Sequence, residues 1–241
     1  VGRINGARVS ACDEMLSDTE ELIPAGQIMR IFRKGGYRER RDIWVDACQR
    51  LGVDRETIMH ATDDFLFLDF LLRNTDRHYN NFGLIRDVES FTIRPAPIYD
   101  SGASLWNGMD PDAMDNGDYR TKPFWTDQWR EEDNAYWQLS LIDDWDRYDL
   151  GVLDDVPDIV HEQLSTNQRL SPMLIDRITG LLRGRLPIIR HQRNTTAARH
   201  MIGMTPIHGL DNPSTGQGLQ LPDPADVPDD TRPDDPGIGL V

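Results

Sequence analysis

Asn74-Thr75-Asp76-Arg77-His78-Tyr79-Asn80-Asn81 is the stretch on which the reading of this chain turns. Every residue in it carries a polar or ionisable group. The segment before it is strongly apolar. Asp54 has the character of a helix N-cap, and the pattern of Ile58, Met59, Phe65, Leu66, Leu68, Phe70, Leu71 and Leu72 predicts a helix to about Arg73. That helix is apolar around much of its later circumference, so its end is expected deep in a core. Polar groups delivered there cost free energy unless they are hydrogen-bonded or hold something. Beyond the stretch, Phe82–Arg86 reads as a short strand, Asp87-Val88-Glu89-Ser90 as a turn, and Phe91–Arg94 with Ala96–Tyr99 as the returning strand. Pro95 and Pro97 assign parts of that return to a sheet edge. The hairpin ends at Asp100, followed by Ser101 and Gly102, 24 residues after Asp76.

This order of parts suits phosphoryl transfer. Negative charge spreads over the moving group, and hard oxygen ligands such as carboxylate and amide hold the Mg²⁺ that neutralises it. A further carboxylate orients the attacking hydroxyl and takes its proton. The five-residue spacing from Asp76 to Asn81 is that of a kinase catalytic loop, with Asp as base and Asn on the metal. Asp100, carried back by the hairpin, stands where a second metal-binding carboxylate is needed.

Asp76-Arg77-His78-x-x-Asn81, followed by Ala96-Pro97-Ile98-Tyr99-Asp100, resembles the C-terminal lobe of the HipA-like serine/threonine kinases. These are the toxin kinases of bacterial toxin–antitoxin modules and their phage- or excisionase-associated relatives. The likeness covers roughly residues 54 to 106. It implies a mainly α fold with a small β-hairpin (α+β), a protein-kinase-like C-lobe. It also implies ATP with Mg²⁺ and transfer to the Ser or Thr hydroxyl of a protein. By matching position, Asp76 would be the catalytic base, and Asn81 and Asp100 the metal ligands. Those two and His78 would form the cofactor site, His78 as a structural or substrate-side loop residue. The same DRHxxN order resembles phosphoinositide-type lipid kinases, but those continue to Asp-Phe-Gly, whereas Ser101 follows Asp100 here.

A kinase also needs a glycine-rich phosphate loop and a strand lysine. Neither is legible here. The chain has two lysines against 24 arginines. Lys34 sits in the polar run Arg33-Lys34-Gly35-Gly36, and Lys122 lies beyond the metal site in a Trp-rich segment. The N-lobe is therefore expected upstream of Val1, or on another chain, or to be lost. The chain lacks an initiator Met and reads as a fragment, with residues 1–37 a remnant of the inter-lobe connection and residues 38–200 the kinase-like lobe. Two functional classes follow: a phosphotransferase completed by a missing N-lobe, or a catalytically incomplete pseudokinase that binds a partner protein.

The remaining sequence fills in the frame. Arg38–Leu51 predicts an amphipathic helix with Ile43, Trp44, Ala47 and Leu51 inward, stopped by Gly52. Val156–Leu164 and a segment opening at Ser171-Pro172, with Leu174, Ile175, Ile178, Leu181 and Leu182 inward, predict two more. Trp106–Trp145 holds five of the six tryptophans and reads as an irregular segment with packed aromatics. Asp63 and Asp64, adjacent on the second helix, read as a solvated face. The histidines show no HxxxH spacing, which argues against zinc. Residues 201–241 carry 7 of the 15 prolines and 7 Asp against one Arg, the composition of a disordered tail. A net charge of −15 disfavours nucleic acid as a partner. No run of 18 apolar residues predicts a membrane span. Two cysteines, Cys12 and Cys48, fit a reducing, cytoplasmic setting. The partners expected are the protein substrate and either an antitoxin or an upstream N-lobe.

Overall fold

The computed structural model describes residues 2–4, 7–9, 14–32, 40–117, 119–124 and 134–201. All lie in a compact unit, Val1–Pro206. Lys34 and the expected disordered tail beyond Met201 fall outside the described residues. The fold is mainly helical. Strands β1 (Gly2–Ile4) and β2 (Ala7–Val9) form an antiparallel pair. β3 (Glu20–Pro24) leads into helix α1 (Ala25–Phe32), then α2 (Arg40–Arg50) and α3 (Arg55–Leu72). β4 (Gly83–Asp87) and β5 (Ile93–Pro95) follow, then a long segment with the short helix α4 (Ala135–Leu139), and finally α5 (Val156–Ser165) and α6 (Pro172–Met201). Among the described residues no helix is long and apolar enough to cross a membrane.

The expected hairpin is two strands of a three-stranded antiparallel sheet, ordered β3-β4-β5, with Leu22 opposite Ile85 and Ile23 opposite Leu84. β3 was hidden because Glu20-Glu21-Leu22-Ile23-Pro24 neither alternates nor favours strand. The sheet places it: its backbone runs so close to Gly83 that a Cβ there would sit 2.3 Å from the Ile23 carbonyl oxygen. The returning strand is shorter than predicted, Ile93–Pro95 alone, and it is an edge strand, as Pro95 requires. The turn between β4 and β5 is built on Asp87. Its Oδ1 accepts from the amides of Glu89 (2.9 Å) and Ser90 (2.7 Å), and its Oδ2 accepts from the Thr19 hydroxyl (2.7 Å). These bonds hold its pKa at about 2.

α3 is the axis of the core. Asp54 caps it, accepting from the Thr57 amide at 3.0 Å. Ile58, Phe65, Leu66, Phe67, Phe70 and Leu71 are all buried, with Trp44, Val45, Ala47 and Cys48 of α2 beside them. Phe65 and Phe124 both pack on Phe82, the residue before β4. α6 closes the other side through Ile175, Leu182, Leu186 and Ile189. It runs to Met201 through an internal Pro187. The described parts of the Trp-rich segment are largely irregular apart from α4, with Trp106 and Trp145 buried.

Asp63 departs from the expected solvated face. It is 1% exposed, and Arg41 Nη2 donates to its Oδ1 at 3.0 Å. Arg41 also reaches Asp143 at 3.2 Å. Asp63 and Asp64 do diverge, since Asp64 accepts from the Tyr148 hydroxyl at 2.9 Å. The sequence did not reveal that α2 brings an arginine onto this face. Burial, opposed by Arg41, raises the Asp63 pKa to about 6. A carboxyl raised in this way binds its proton more tightly when folded. Its ionisation therefore lowers stability as pH rises from 3.8 to about 6. Chemical unfolding of Asp63→Asn across that range is expected to lose this part of the wild-type slope; an unchanged slope would contradict the assignment.

Candidate active site

α3 ends at Arg73, whose backbone is left-handed (φ 56°, ψ 46°) and whose amide donates to the Phe70 carbonyl. This termination turns the chain out of the helix and starts the polar stretch. Asn74 anchors it, its Nδ2 donating to Asp69 Oδ1 at 2.8 Å. The stretch then folds on itself. The Asp76 carbonyl accepts from the His78 amide at 2.8 Å and from Asn81 Nδ2 at 2.9 Å. The Asn81 amide donates to the His78 carbonyl. From outside, the Gly26 amide at the start of α1 donates to the Tyr79 carbonyl at 2.8 Å. A Cβ at Gly26 would crowd the Asn80 side chain at 2.9 Å.

Arg77 organises the loop. Its guanidinium is fully buried and has five N–H donors, and all five are used. Nε and Nη2 grip both oxygens of Asp69 at 2.9 and 2.8 Å. Nη1 donates to the Asn81 carbonyl at 2.9 Å and to the Tyr99 carbonyl. The second Nη2 hydrogen goes to Ser101 Oγ at 2.9 Å. One planar cation therefore touches Asn81 and both neighbours of Asp100, and it is itself the neighbour of Asp76. Further bonds run beside it, from Thr75 N to Ala103 O at 3.3 Å, from Leu105 N to Leu72 O at 2.8 Å, and from the Tyr99 hydroxyl to the Asn80 carbonyl at 2.9 Å. The catalytic-type loop and the segment carrying Asp100 are thus laced together. Arg77 was read in the sequence only as part of a motif. Its burial opposite Asp69, eight residues upstream, has no sequence signal short of the fold.

The predicted site residues occupy graded environments. Asn81 is buried, Asp76 is half-buried and Asp100 is exposed, with a left-handed backbone at φ 49°. The Asn81 amide gives its donor end to the Asp76 carbonyl, which leaves its oxygen as a hard ligand. His78 Nδ1 accepts from the Asn80 amide at 3.2 Å, so this histidine shapes the loop. Among the described residues no three His, Cys, Asp or Glu side chains cluster as a metal site. Asp69 has its pKa raised by burial, against the pull of Arg77 and Asn74.

Lys122 was expected beyond the site, yet it is in it. Its Nζ lies 2.9 Å from Asp76 Oδ1. Its neighbours fix it there: the buried Thr121 hydroxyl donates to the Asn74 carbonyl at 3.2 Å, Gln138 Nε2 of α4 donates to the Thr121 carbonyl at 3.1 Å, and Phe124 is in the core. No local signal reveals this, because 46 residues separate Lys122 from Asp76. Behind the loop, Arg185 of α6 is fully buried and donates to the Phe70 carbonyl (2.7 Å), Asn116 Oδ1 (3.3 Å) and the Tyr119 hydroxyl (2.6 Å). Arg73 lies over the rings of Trp106 and Tyr119. Leu105 and Trp106 also have left-handed backbones, with φ of 55° and 56°.

No model of a protein family matches the sequence, and no curated protein matches it. Among solved structures, the fold is similar to that of the proinflammatory kinase CtkA of Helicobacter pylori. The TM-score is 0.54 at 18% sequence identity, over 76% of this chain and 74% of that one. The chain therefore has a kinase-like fold.

Arg77→Lys is expected to destabilise the fold by about 3 kcal/mol in denaturant titration. A single ammonium cannot reproduce the fork, and it leaves Asp69 and two carbonyls under-satisfied in the interior. A change below roughly 1 kcal/mol would show that the five bonds are not a structural requirement.

Proposed function

We propose that this chain is the catalytic lobe of an ATP- and Mg²⁺-dependent kinase that phosphorylates a Ser or Thr hydroxyl of a protein, of the HipA-like kind. The observation that carries the reading is the Arg77 clamp. It joins the loop bearing Asp76 and Asn81 to the segment bearing Asp100 through bonds to Tyr99 and Ser101. The kinase-like fold supports it.

The residues fit the cofactor. Asn81 and Asp100 supply an amide oxygen and a carboxylate, the donor types that hard divalent cations prefer. When bound there, Mg²⁺ supplies positive charge against the phosphate oxygens. Asp76 orients the acceptor hydroxyl and takes its proton as the hydroxyl oxygen bonds to the γ-phosphorus. The bond from that phosphorus to the β–γ bridging oxygen breaks, and ADP leaves with the electron pair. His78 keeps the loop in shape through its bond to Asn80.

The glycine-rich loop and the strand lysine belong, in this proposal, to an N-lobe upstream of Val1 or on another chain, and an antitoxin is a candidate regulatory partner. The missing phosphate-loop motif favours one second reading, a pseudokinase that binds a partner protein.

The test uses the protein encoded by the complete reading frame. Asp76→Asn is expected to bind Mg·ATP within about threefold of wild type and to lose at least roughly 10²-fold in phosphoryl transfer. Asp100→Ala is expected to lose Mg²⁺-dependent ATP binding, measured by calorimetric titration. Unchanged transfer in both variants removes the kinase reading, and a wild type that binds Mg·ATP without transfer favours the pseudokinase. Equal turnover by residues 1–241 alone would remove the upstream lobe.

A further inference from the structure

The charge of the site is not fully accounted for by the groups assigned so far. A transferring phosphoryl group needs positive charge on its equatorial oxygens beyond that of the metal. Arg77 is the cation that the sequence places next to Asp76, but its five donors are all committed to protein acceptors and it is fully buried. It cannot turn towards a phosphate without releasing Asp69. His78 is engaged within the loop, its Nδ1 accepting from the Asn80 amide. Among the described residues, the cation that touches the proposed base is Lys122.

We propose that Lys122 is a catalytic residue of this site: its ammonium spans the carboxylate of Asp76 and the phosphoryl group in flight. This rests on the kinase reading above. Lys122 carries its ammonium on a flexible stem and contacts Asp76 Oδ1 at 2.9 Å. The side chains of Lys122 and Asp76 are 23% and 47% exposed, so the pair stands at an open rim where a substrate can reach it. The residues around Lys122 make this a built position. Thr121 is fastened to the Asn74 carbonyl and to Gln138, and Phe124 packs near Phe65 and Phe82 in the core. A surface lysine with a casual ion pair needs no such anchoring on both sides. In the reaction Lys122 keeps its proton throughout. It donates hydrogen bonds to oxygens that gain charge as the bond to ADP breaks, while Asp76 receives the proton of the acceptor hydroxyl.

A lysine-specific label supplies a direct probe. In protein labelled with ¹⁵N-lysine, the side-chain signal that disappears in Lys122→Arg is the one that belongs to Lys122. Using the complete reading frame, the Lys122 signal is expected to move on adding Mg·ADP with aluminium fluoride, which mimics the phosphoryl group in transfer, and to move little with Mg·ADP alone. In parallel, phosphate release from Mg·ATP, with water as acceptor, is expected to fall about 10²-fold in Lys122→Ala. The Kd for Mg·ATP is expected to stay within about threefold. Lys122→Arg, which keeps the charge, is expected to stay within about tenfold of wild type. A lysine that merely stabilises the loop would lower activity in step with thermal stability, and Lys122→Arg would not restore it selectively. A wild type that binds and turns over Mg·ATP, with a silent Lys122 signal and an unimpaired Lys122→Ala, overturns this assignment alone. A wild type that binds no nucleotide overturns the kinase reading and this assignment with it.

Discussion

The pairing of Arg77 with Asp69 is the constraint on which the site depends. Both charges are removed from water, and desolvation of such a pair can exceed its Coulombic attraction. Stability alone is a weak reason for it. Geometry is a better one. A guanidinium held in a bidentate grip has a fixed plane, so its remaining three donors point in fixed directions. Those directions lead to Asn81, Tyr99 and Ser101. Two segments that meet only through tertiary folding are thereby held in one register, with Asp76 and Asp100 on residues next to the bonds. The Arg77 guanidinium lies in the interior, whereas Asp76 is half-buried and Asp100 is exposed. That division lets the scaffold stay dry while Asp76 and Asp100 remain accessible.

The rest of the fold holds the two ends of this arrangement. α3 carries Asp69 on its final turn, and its apolar circumference is enclosed by α2, α6 and the sheet. At the C-terminal end of α3, Arg185 bonds to the buried Phe70 carbonyl, which also accepts from the Arg73 amide, and a cation suits the negative end of a helix. The same side chain lies over the Phe70 ring and meets Tyr119, which is also covered by Arg73. Two buried guanidiniums thus share an aromatic platform directly behind the loop. On the opposite flank, α1 reaches the loop through Gly26, whose lack of a side chain lets the backbones of α1 and Tyr79 come within hydrogen-bond distance.

The parts of this structure that were legible in the sequence are those with local causes. The cap at Asp54, the apolar surface of α3, the proline opening α6 and the turn at Asp87-Val88-Glu89-Ser90 each follow from residues within a few positions of one another. The spacing from Asp76 to Asn81 and on to Asp100 was legible for the same reason, and the fold does lace those segments together. What escaped notice was long-range. β3 exists because β4 offers it an edge, not because of its own composition. The return to Asp100 is an extended loop and not a longer strand, since Pro97 has no amide to give the ladder. Asp63 is an interior residue because α2 happens to present Arg41, and Lys122 reaches Asp76 across a segment with no periodicity to read. Charged residues in particular changed meaning on folding, because their environment is set by partners remote in sequence.

The left-handed residues around the site carry a cost of their own. Arg73, Asp100, Leu105 and Trp106 all have φ between 49° and 56°, a region that side chains bearing a Cβ enter at roughly 1 kcal/mol or more each. Glycine would relax each backbone, but at Asp100 it would delete the carboxylate, and at Arg73 and Trp106 it would strip the platform behind the loop. Only Leu105, half-buried among Met109 and its neighbours, lacks a comparable chemical duty. The ground around the carboxylates is therefore held in tension by the very side chains that line it. A thermally hardened version of this protein would have to find its gains elsewhere, in the helices and the sheet.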